Sequence, residues 1–174
     1  MNYFELYGLP VCFNPDQDEV KRKFYALSKQ YHPDFYIGQS PEKQEEALEL
    51  STLNNKAYQV LKDDQKRLHY VLQLKEQLSD GENYSLPPVF LMEMMEVNEA
   101  LMEQEFDSDP EKLAVIAGDV AVIETTLNTT LHQLTELFDA GKGTAETLTE
   151  IKDIYYRRKY IQRIKESLSR LQSS

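Results

Sequence analysis

A stretch near the N-terminus decides the fold of the first half of the chain, and residues 20–42 of it read VKRKFYALSKQYHPDFYIGQSPE. Apolar residues recur there at the spacing of one helix face: Val20, Phe24, Leu27 and Tyr31. Asp16 precedes them as an N-cap. Because Pro33 disfavours helical backbone at the preceding residue, the helix is predicted to end at His32. A loop should follow.

A second helix is predicted to open directly after this loop. Ser40-Pro41-Glu42 has the order of an N-cap, an N1 proline and a first-turn acid. Helical spacing then continues through Leu48, Leu53, Ala57, Val60 and Leu61. A shorter helix over residues 65–78 should complete the first half. The pattern predicts a helical hairpin with short flanking helices.

The second half contains three longer helical patterns after a turn-rich segment, residues 79–88, which reads SDGENYSLPP. One pattern covers residues 87–106, the next opens at Asp109-Pro110, and the third follows Gly141-Lys142-Gly143. Long helices joined by short turns pack as antiparallel bundles, so we expect an elongated three-helix bundle. The prediction is an all-α protein with domains at 1–76 and 87–174 and a linker at 77–86.

Composition excludes several classes of protein. The chain has 174 residues and a net charge of -11, which argues against a large multidomain enzyme and against nucleic-acid binding. Its longest stretch without Asp, Glu, Lys or Arg, residues 125–135, is too short to span a membrane. The first basic residue is Lys21, so we expect a cytoplasmic protein. A lone cysteine, Cys12, predicts no disulfide and no cysteine metal site, and we expect no cofactor.

The loop between the first two helices carries the tripeptide His32-Pro33-Asp34. Pro33 stiffens the chain, so that the imidazole and the carboxylate on either side can both face a partner. Basic side chains on the preceding helix, Lys21, Arg22 and Lys29, suit an acidic protein partner.

Residues 1–75 resemble a J-domain. The resemblance rests on several blocks that occur in order: Tyr3-Phe4 with Leu6 and Leu9-Pro10, Val20 to Phe24, Tyr31 to Asp34, Leu53 to Leu61, and Lys66-Arg67 with Tyr70. It implies a partnership with a DnaK-type ATP-dependent chaperone, whose ATPase the domain stimulates. His32, Pro33 and Asp34 would supply the signal, and Lys21, Arg22 and Lys29 would dock. General J-proteins have basic residues where this chain has Phe35, Tyr25 and Ala26.

A second candidate surface lies in residues 90–103, which read FLMEMMEVNEALME. One helical stripe, Phe90, Met94, Val97 and Leu101, can be buried by a bundle. Leu91, Met92, Met95 and Met102 fall outside it, beside carboxylates at i, i+3 and i+7: Glu96, Glu99 and Glu103. Flexible methionines next to carboxylates suit a recognition surface. The same pattern is explained equally well by methionines that fill the core beneath an ordinary acidic face.

The whole chain resembles the HscB family, J-domain co-chaperones of iron-sulfur cluster assembly. This resemblance implies that the chain binds an IscU-type scaffold protein and delivers it to an HscA-type chaperone. The implied scaffold-binding residues are Leu91, Met92, Met95, Glu96, Glu99, Glu103 and Tyr156. No enzymatic activity of its own is implied.

Three other interpretations remain open. The chain could be a J-protein that delivers a different client. It could be a hydrolase that uses His32 and Asp34 as a catalytic pair. It could also be a purely structural helical protein.

Overall fold

The computed structural model describes residues 1–173, and every regular element in that range is helical. The α-helices are α1 (Tyr3–Leu6), α2 (Gln17–Gln30), α3 (Pro41–Leu61), α4 (Asp64–Leu74), α5 (Pro88–Phe106), α6 (Pro110–Asp139) and α7 (Ala145–Gln172). A 3-10 turn spans Pro33–Tyr36. The all-α prediction is confirmed. The helices form two compact units, one spanning Met1–Glu76 and the other beginning at Gln77.

The first unit is built on the hairpin of α2 and α3, with α1 and α4 packed against α3. Its core consists of Phe4, Tyr7, Phe13, Val20, Ala47, Ala57, Leu61, Leu68, Val71 and Leu72. Both hairpin helices begin at the predicted caps, since the side chain of Asp16 accepts from two backbone N–H groups and that of Ser40 accepts from the N–H of Lys43. Local capping chemistry therefore sets where each helix starts.

Other boundaries in this unit differ from the sequence prediction. Helix α2 ends at Gln30 and not at His32, because His32 already serves as the N-cap of the 3-10 turn. Helix α4 ends at Leu74 and not at residue 78, with Glu76 in the left-handed region at φ 59°. Leu48 was predicted on the apolar face of α3, yet it is 58% exposed, and the smaller Ala47 is buried in its place.

The second unit is a bundle in which α5, α6 and α7 pack against one another. Lys165 of α7 contacts Glu124 of α6 at 3.0 Å, and Ile154, earlier on α7, shares a groove with Leu127, later on α6. Residue numbers therefore rise along one helix as they fall along the other, which is antiparallel packing. Helix α6 buries one apolar stripe against the bundle, formed by Leu113, Ile116, Val120, Leu127 and Leu131.

None of the helices within residues 1–173 combines the length and the apolar character needed to cross a membrane.

Candidate functional site

The His-Pro-Asp loop is an exposed, ordered turn. The side chains of His32 and Asp34 are 54% and 79% exposed, and His32 Nδ1 lies 3.6 Å from Asp34 Oδ2. The same Nδ1 accepts a hydrogen bond from the backbone N–H of Asp34 at 3.2 Å. Pro33 occupies the first position of the 3-10 turn, where the N–H that it lacks is not needed.

Side-chain hydrogen bonds hold the two ends of this loop. The hydroxyl of Tyr36 donates to the carbonyl of Gln30, at the end of α2, at 3.2 Å. From α3, the amide of Gln44 donates to the carbonyls of Ile37 and Gln39 at 3.3 and 2.9 Å. The loop is thereby tied to both helices that it connects.

The buried side chain of Asn54 joins the two helices of the hairpin. Its amide nitrogen donates to the carbonyl of Phe24 and to Ser28 Oγ, both at 3.1 Å. Its Oδ1 accepts from the hydroxyl of Tyr7 at 2.8 Å. Burial, with a smaller effect from Tyr58, raises the pKa of Tyr7 well above its ordinary value, so the hydroxyl remains a donor. Sequence analysis did not find Asn54, because nothing in the stretch Leu53-Asn54-Asn55-Lys56 distinguishes a buried asparagine from an exposed one.

A second buried polar residue, Arg67, links the chain before α2 to the end of α3, at the end of the hairpin opposite the His-Pro-Asp loop. Its guanidinium donates to the carbonyls of Phe13 and Leu61 at 2.8 and 2.9 Å and to Asp64 Oδ1 at 2.8 Å. One side chain thus satisfies a carbonyl at the end of α3 and pairs with the carboxylate of the first residue of α4.

The three cations predicted to dock a partner, Lys21, Arg22 and Lys29, are exposed on α2. Arg22 has only a loose ion pair, 3.8 Å from Glu19, with 71% of its side chain exposed. An exposed pair of this kind contributes little to stability, so these charges are available to an acidic partner.

Helix α5 separates its apolar residues into a buried and an exposed set. Phe90, Met94 and Leu101 are 3%, 0% and 5% exposed. Met92, Met95 and Met102 are 67%, 59% and 58% exposed, and Leu91 is 39% exposed. The three predicted carboxylates, Glu96, Glu99 and Glu103, are exposed too. The sequence left open whether these methionines pad the core; the structure places all but Met94 outside it.

Tyr156 is held by the segment that precedes α5. Its hydroxyl donates to Glu82 Oε1 at 2.6 Å, and its ring stacks on Tyr84 with 4.3 Å between centroids. Lys152 pairs with Glu82 at 3.2 Å, and the hydroxyl of Tyr84 donates to Asp153 at 2.6 Å. These contacts fasten the turn-rich segment to α7, which the sequence did not predict because Glu82 and Tyr84 belong to no helical pattern.

The electrostatics of this segment follow from those contacts. The hydrogen bond from Tyr156 is the main cause that lowers the pKa of Glu82, with Lys152 adding to it. Burial, with the hydrogen bond to Asp153, raises the pKa of Tyr84 to about 12. Glu82 is therefore anionic and both tyrosines are neutral near neutral pH.

The structure brings the predicted residues together as two separate sets. His32, Pro33 and Asp34 share one turn at the end of the helix that carries the cations, within the first unit. The exposed residues of α5 and Tyr156 of α7 lie in the second unit. Both sets are exposed or half-exposed side chains on helices, an arrangement that suits contact with other proteins.

Two protein-family models match the chain, one for each unit. A DnaJ domain model matches residues 2–70, which include the His-Pro-Asp turn and the cations of α2. A model described as the HSCB C-terminal oligomerisation domain matches residues 86–169, which include the exposed face of α5.

Individual relatives agree with the family models. A co-chaperone protein HscB homolog of Vibrio cholerae is 40% identical over 123 residues, which are 70% of this chain and 71% of that protein. A homolog of Vibrio vulnificus is 34% identical over 171 residues, covering 97% of this chain and 99% of that protein. Among solved structures, chaperone HscB from Vibrio cholerae matches with a TM-score of 0.61 and 31% identity over 97% of this chain and 99% of that one. Human co-chaperone HscB matches in fold, with a TM-score of 0.76 and 24% identity over 97% of this chain and 81% of that one. With a J-domain at its start and a matching second unit, the chain belongs to the HscB family of J-domain co-chaperones.

Proposed function

We propose that this protein is a two-site adaptor of iron-sulfur cluster assembly. The second unit binds an IscU-type scaffold protein, and the J-domain delivers that scaffold to an HscA-type chaperone and stimulates its ATPase. The observation that carries the proposal is the exposed face of α5, where three methionines and three carboxylates lie outside the core in a chain that also presents a His-Pro-Asp turn.

The geometry of the His-Pro-Asp turn supports the proposed contact between the J-domain and the chaperone. His32 and Asp34 are exposed on a loop tied to both hairpin helices, so they meet a partner in a fixed arrangement. Lys21, Arg22 and Lys29 add positive charge to the helix that leads to it. Charge of this kind speeds the encounter with an acidic surface more than it strengthens the final complex.

The side chains exposed on α5 support the proposed contact between the second unit and the scaffold. Leu91, Met92 and Met95 offer polarizable apolar area that adapts to an uneven surface. Glu96, Glu99 and Glu103 would orient a partner that carries cations. Tyr156 belongs to the proposal as well, and since its hydroxyl is engaged by Glu82, its half-exposed ring is the part that would meet the scaffold.

Linking two modest sites in one chain raises the effective concentration of each partner near the other. No step of the proposed mechanism needs chemistry on this protein itself, because ATP is hydrolysed by the chaperone.

The experiment that tests the proposal is single-turnover ATP hydrolysis by an HscA-type chaperone, with and without scaffold. The unaltered protein should accelerate hydrolysis most when scaffold is present. His32→Gln should remove the stimulation, and Met92→Ala/Glu96→Ala should remove only the part that depends on scaffold.

Matched controls distinguish this proposal from its alternatives. Val115→Ala/Val122→Ala removes exposed apolar groups of 64% and 67% exposure from α6 and should leave both parts of the stimulation intact. Stimulation that ignores the scaffold would assign the protein to a different client. Failure of the unaltered protein to stimulate a competent chaperone would refute the co-chaperone mechanism.

A further inference from the structure

Two large apolar side chains lie beside the His-Pro-Asp motif without being buried by the protein. Phe35 is 65% exposed and Ile37 is 75% exposed. Both lie within three residues of the end of the motif, next to a helix that is strongly polar. Exposing this much apolar surface is unfavourable in a free protein, so a partner that covers it gains affinity.

The 3-10 geometry of the turn explains where these side chains lie. In a 3-10 helix, residues three apart are eclipsed. Phe35 therefore lies over His32, and their rings meet edge to face with 6.1 Å between centroids. The N–H of Phe35 also donates to the carbonyl of His32 at 3.0 Å. Ile37 follows the turn in helical backbone, φ -55° and ψ -38°, three residues after Asp34.

The backbone that carries the two side chains is held in place. Tyr36, between them, donates its hydroxyl to the carbonyl of Gln30, and Gln44 donates to the carbonyl of Ile37. Phe35 is thus held beside His32, and the backbone of Ile37 is held three residues beyond Asp34. A partner that contacts His32 and Asp34 must therefore also approach Phe35 and Ile37.

We propose that Phe35 and Ile37 form an apolar extension of the chaperone-binding surface, which docks on an apolar patch of the ATP-dependent chaperone next to the site that receives the His-Pro-Asp motif. This inference rests on the proposed function of the J-domain. We assign the chaperone as the occupant because the apolar pair is continuous with the motif: Phe35 contacts His32, and Ile37 lies three residues after Asp34. The cations of α2 supply attraction that salt screens, and the apolar pair supplies short-range affinity that salt does not screen.

The test is stimulation of an HscA-type chaperone's ATPase, titrated with the full-length protein in the absence of scaffold. For Phe35→Ser/Ile37→Ser, we expect the half-maximal concentration to rise about tenfold, which corresponds to about 1.4 kcal/mol of binding free energy. The maximal rate should be unchanged, because His32 and Asp34 remain. This tenfold loss should be the same at low and high salt, whereas the loss caused by Lys21→Ala/Arg22→Ala should shrink as salt is added.

Three control variants keep the inference refutable. Phe35→Leu/Ile37→Val keeps apolar side chains and should bind within about threefold of the unaltered protein, a difference of under about 1 kcal/mol. Val115→Ser/Val122→Ser removes equally exposed apolar groups from α6 and should have no effect. His32→Gln should remove stimulation altogether, which tests the proposed function independently.

The outcomes separate the two proposals. An unchanged half-maximal concentration for the serine variant would refute the apolar extension while His32→Gln still upholds the proposed function. A serine variant that alters sedimentation of the free protein, but not chaperone affinity, would assign the pair to self-association and refute the inference. If the unaltered protein fails to stimulate a competent chaperone, both proposals fall together.

Discussion

The hydrogen bond between Tyr7 and Asn54 should be a measurable source of stability for the J-domain. Both side chains are 1% exposed, and the hydroxyl and Oδ1 are 2.8 Å apart. Tyr7→Phe removes the donor and leaves Oδ1 buried, which costs about 1 to 3 kcal/mol. Asn54→Ala also removes the bonds to Phe24 and Ser28, so three bonds at about 1 kcal/mol each predict a loss of about 3 kcal/mol.

A double-mutant cycle separates the shared hydrogen bond from the rest. Once Asn54 is truncated, the hydroxyl of Tyr7 keeps only the backbone carbonyl of residue 54, 3.2 Å away, so adding Tyr7→Phe should cost less than it does in the unaltered protein. The losses in free energy of unfolding of the two single variants should therefore sum to about 1 kcal/mol more than the loss of the double variant. A coupling of this size is typical of residues in contact.

Amide hydrogen exchange measures the stability of the J-domain within the intact chain. Peptides from α2 and α3 should exchange about tenfold faster in Tyr7→Phe, which corresponds to about 1.4 kcal/mol. Peptides from α6 and α7 should not change and serve as the internal control. Unchanged exchange in α2 and α3, equal acceleration in α6 and α7, or strictly additive single effects would refute the reasoning.

Two further predictions concern the second unit. The pKa of Glu82 is held below its ordinary 4.5, chiefly by the hydrogen bond from Tyr156. A carboxyl with a lowered folded-state pKa adds stability that is full above its ordinary pKa and is lost as pH falls through the folded value. Glu82→Gln should therefore lower the melting temperature at pH 7, and the difference from the unaltered protein should shrink below about pH 4.5; a difference that persists at pH 2 would contradict this. Gly143→Ala should destabilise the unit by about 1 to 3 kcal/mol in urea titrations, because the added Cβ would lie 2.9 Å from the backbone of Phe138. Gly118→Ala, where the added atom meets open space in α6, should be neutral or stabilising, and the reverse order of the two glycine variants would overturn this argument.

The helices could be predicted from sequence because their determinants are local. Ser40-Pro41 and Asp109-Pro110 are caps that act on the next few residues, and α3 and α6 begin there. Spacing also identified Phe90, Met94 and Leu101 as part of the stripe of α5 that is buried, since a bundle can bury only one stripe of a helix, but it left open where the other methionines lie.

Features that depend on distant residues could not be predicted in the same way. Leu48 was included in the helical spacing of apolar residues of α3, but it is exposed and the small Ala47 is buried instead. Asn54 and Arg67 are polar and buried only because Tyr7, Phe24 and Phe13 arrive from other parts of the chain. The hydrogen bond of Glu82 likewise could not be predicted locally, because its partner Tyr156 lies on α7.

The acidic face of α5 has a consequence for the free protein. Glu103, Glu105 and Asp107 crowd the end of a helix whose last turn has no basic residue, where the helix dipole is itself negative. Glu96, Glu99 and Glu103 repel one another along one side. Helix α5 is thus electrostatically frustrated, and a cationic partner would relieve repulsion that the free protein must tolerate. Under the proposed function, the carboxylates that attract the scaffold are the same ones that repel one another in the free protein, so α5 would be less stable alone than a helix without them.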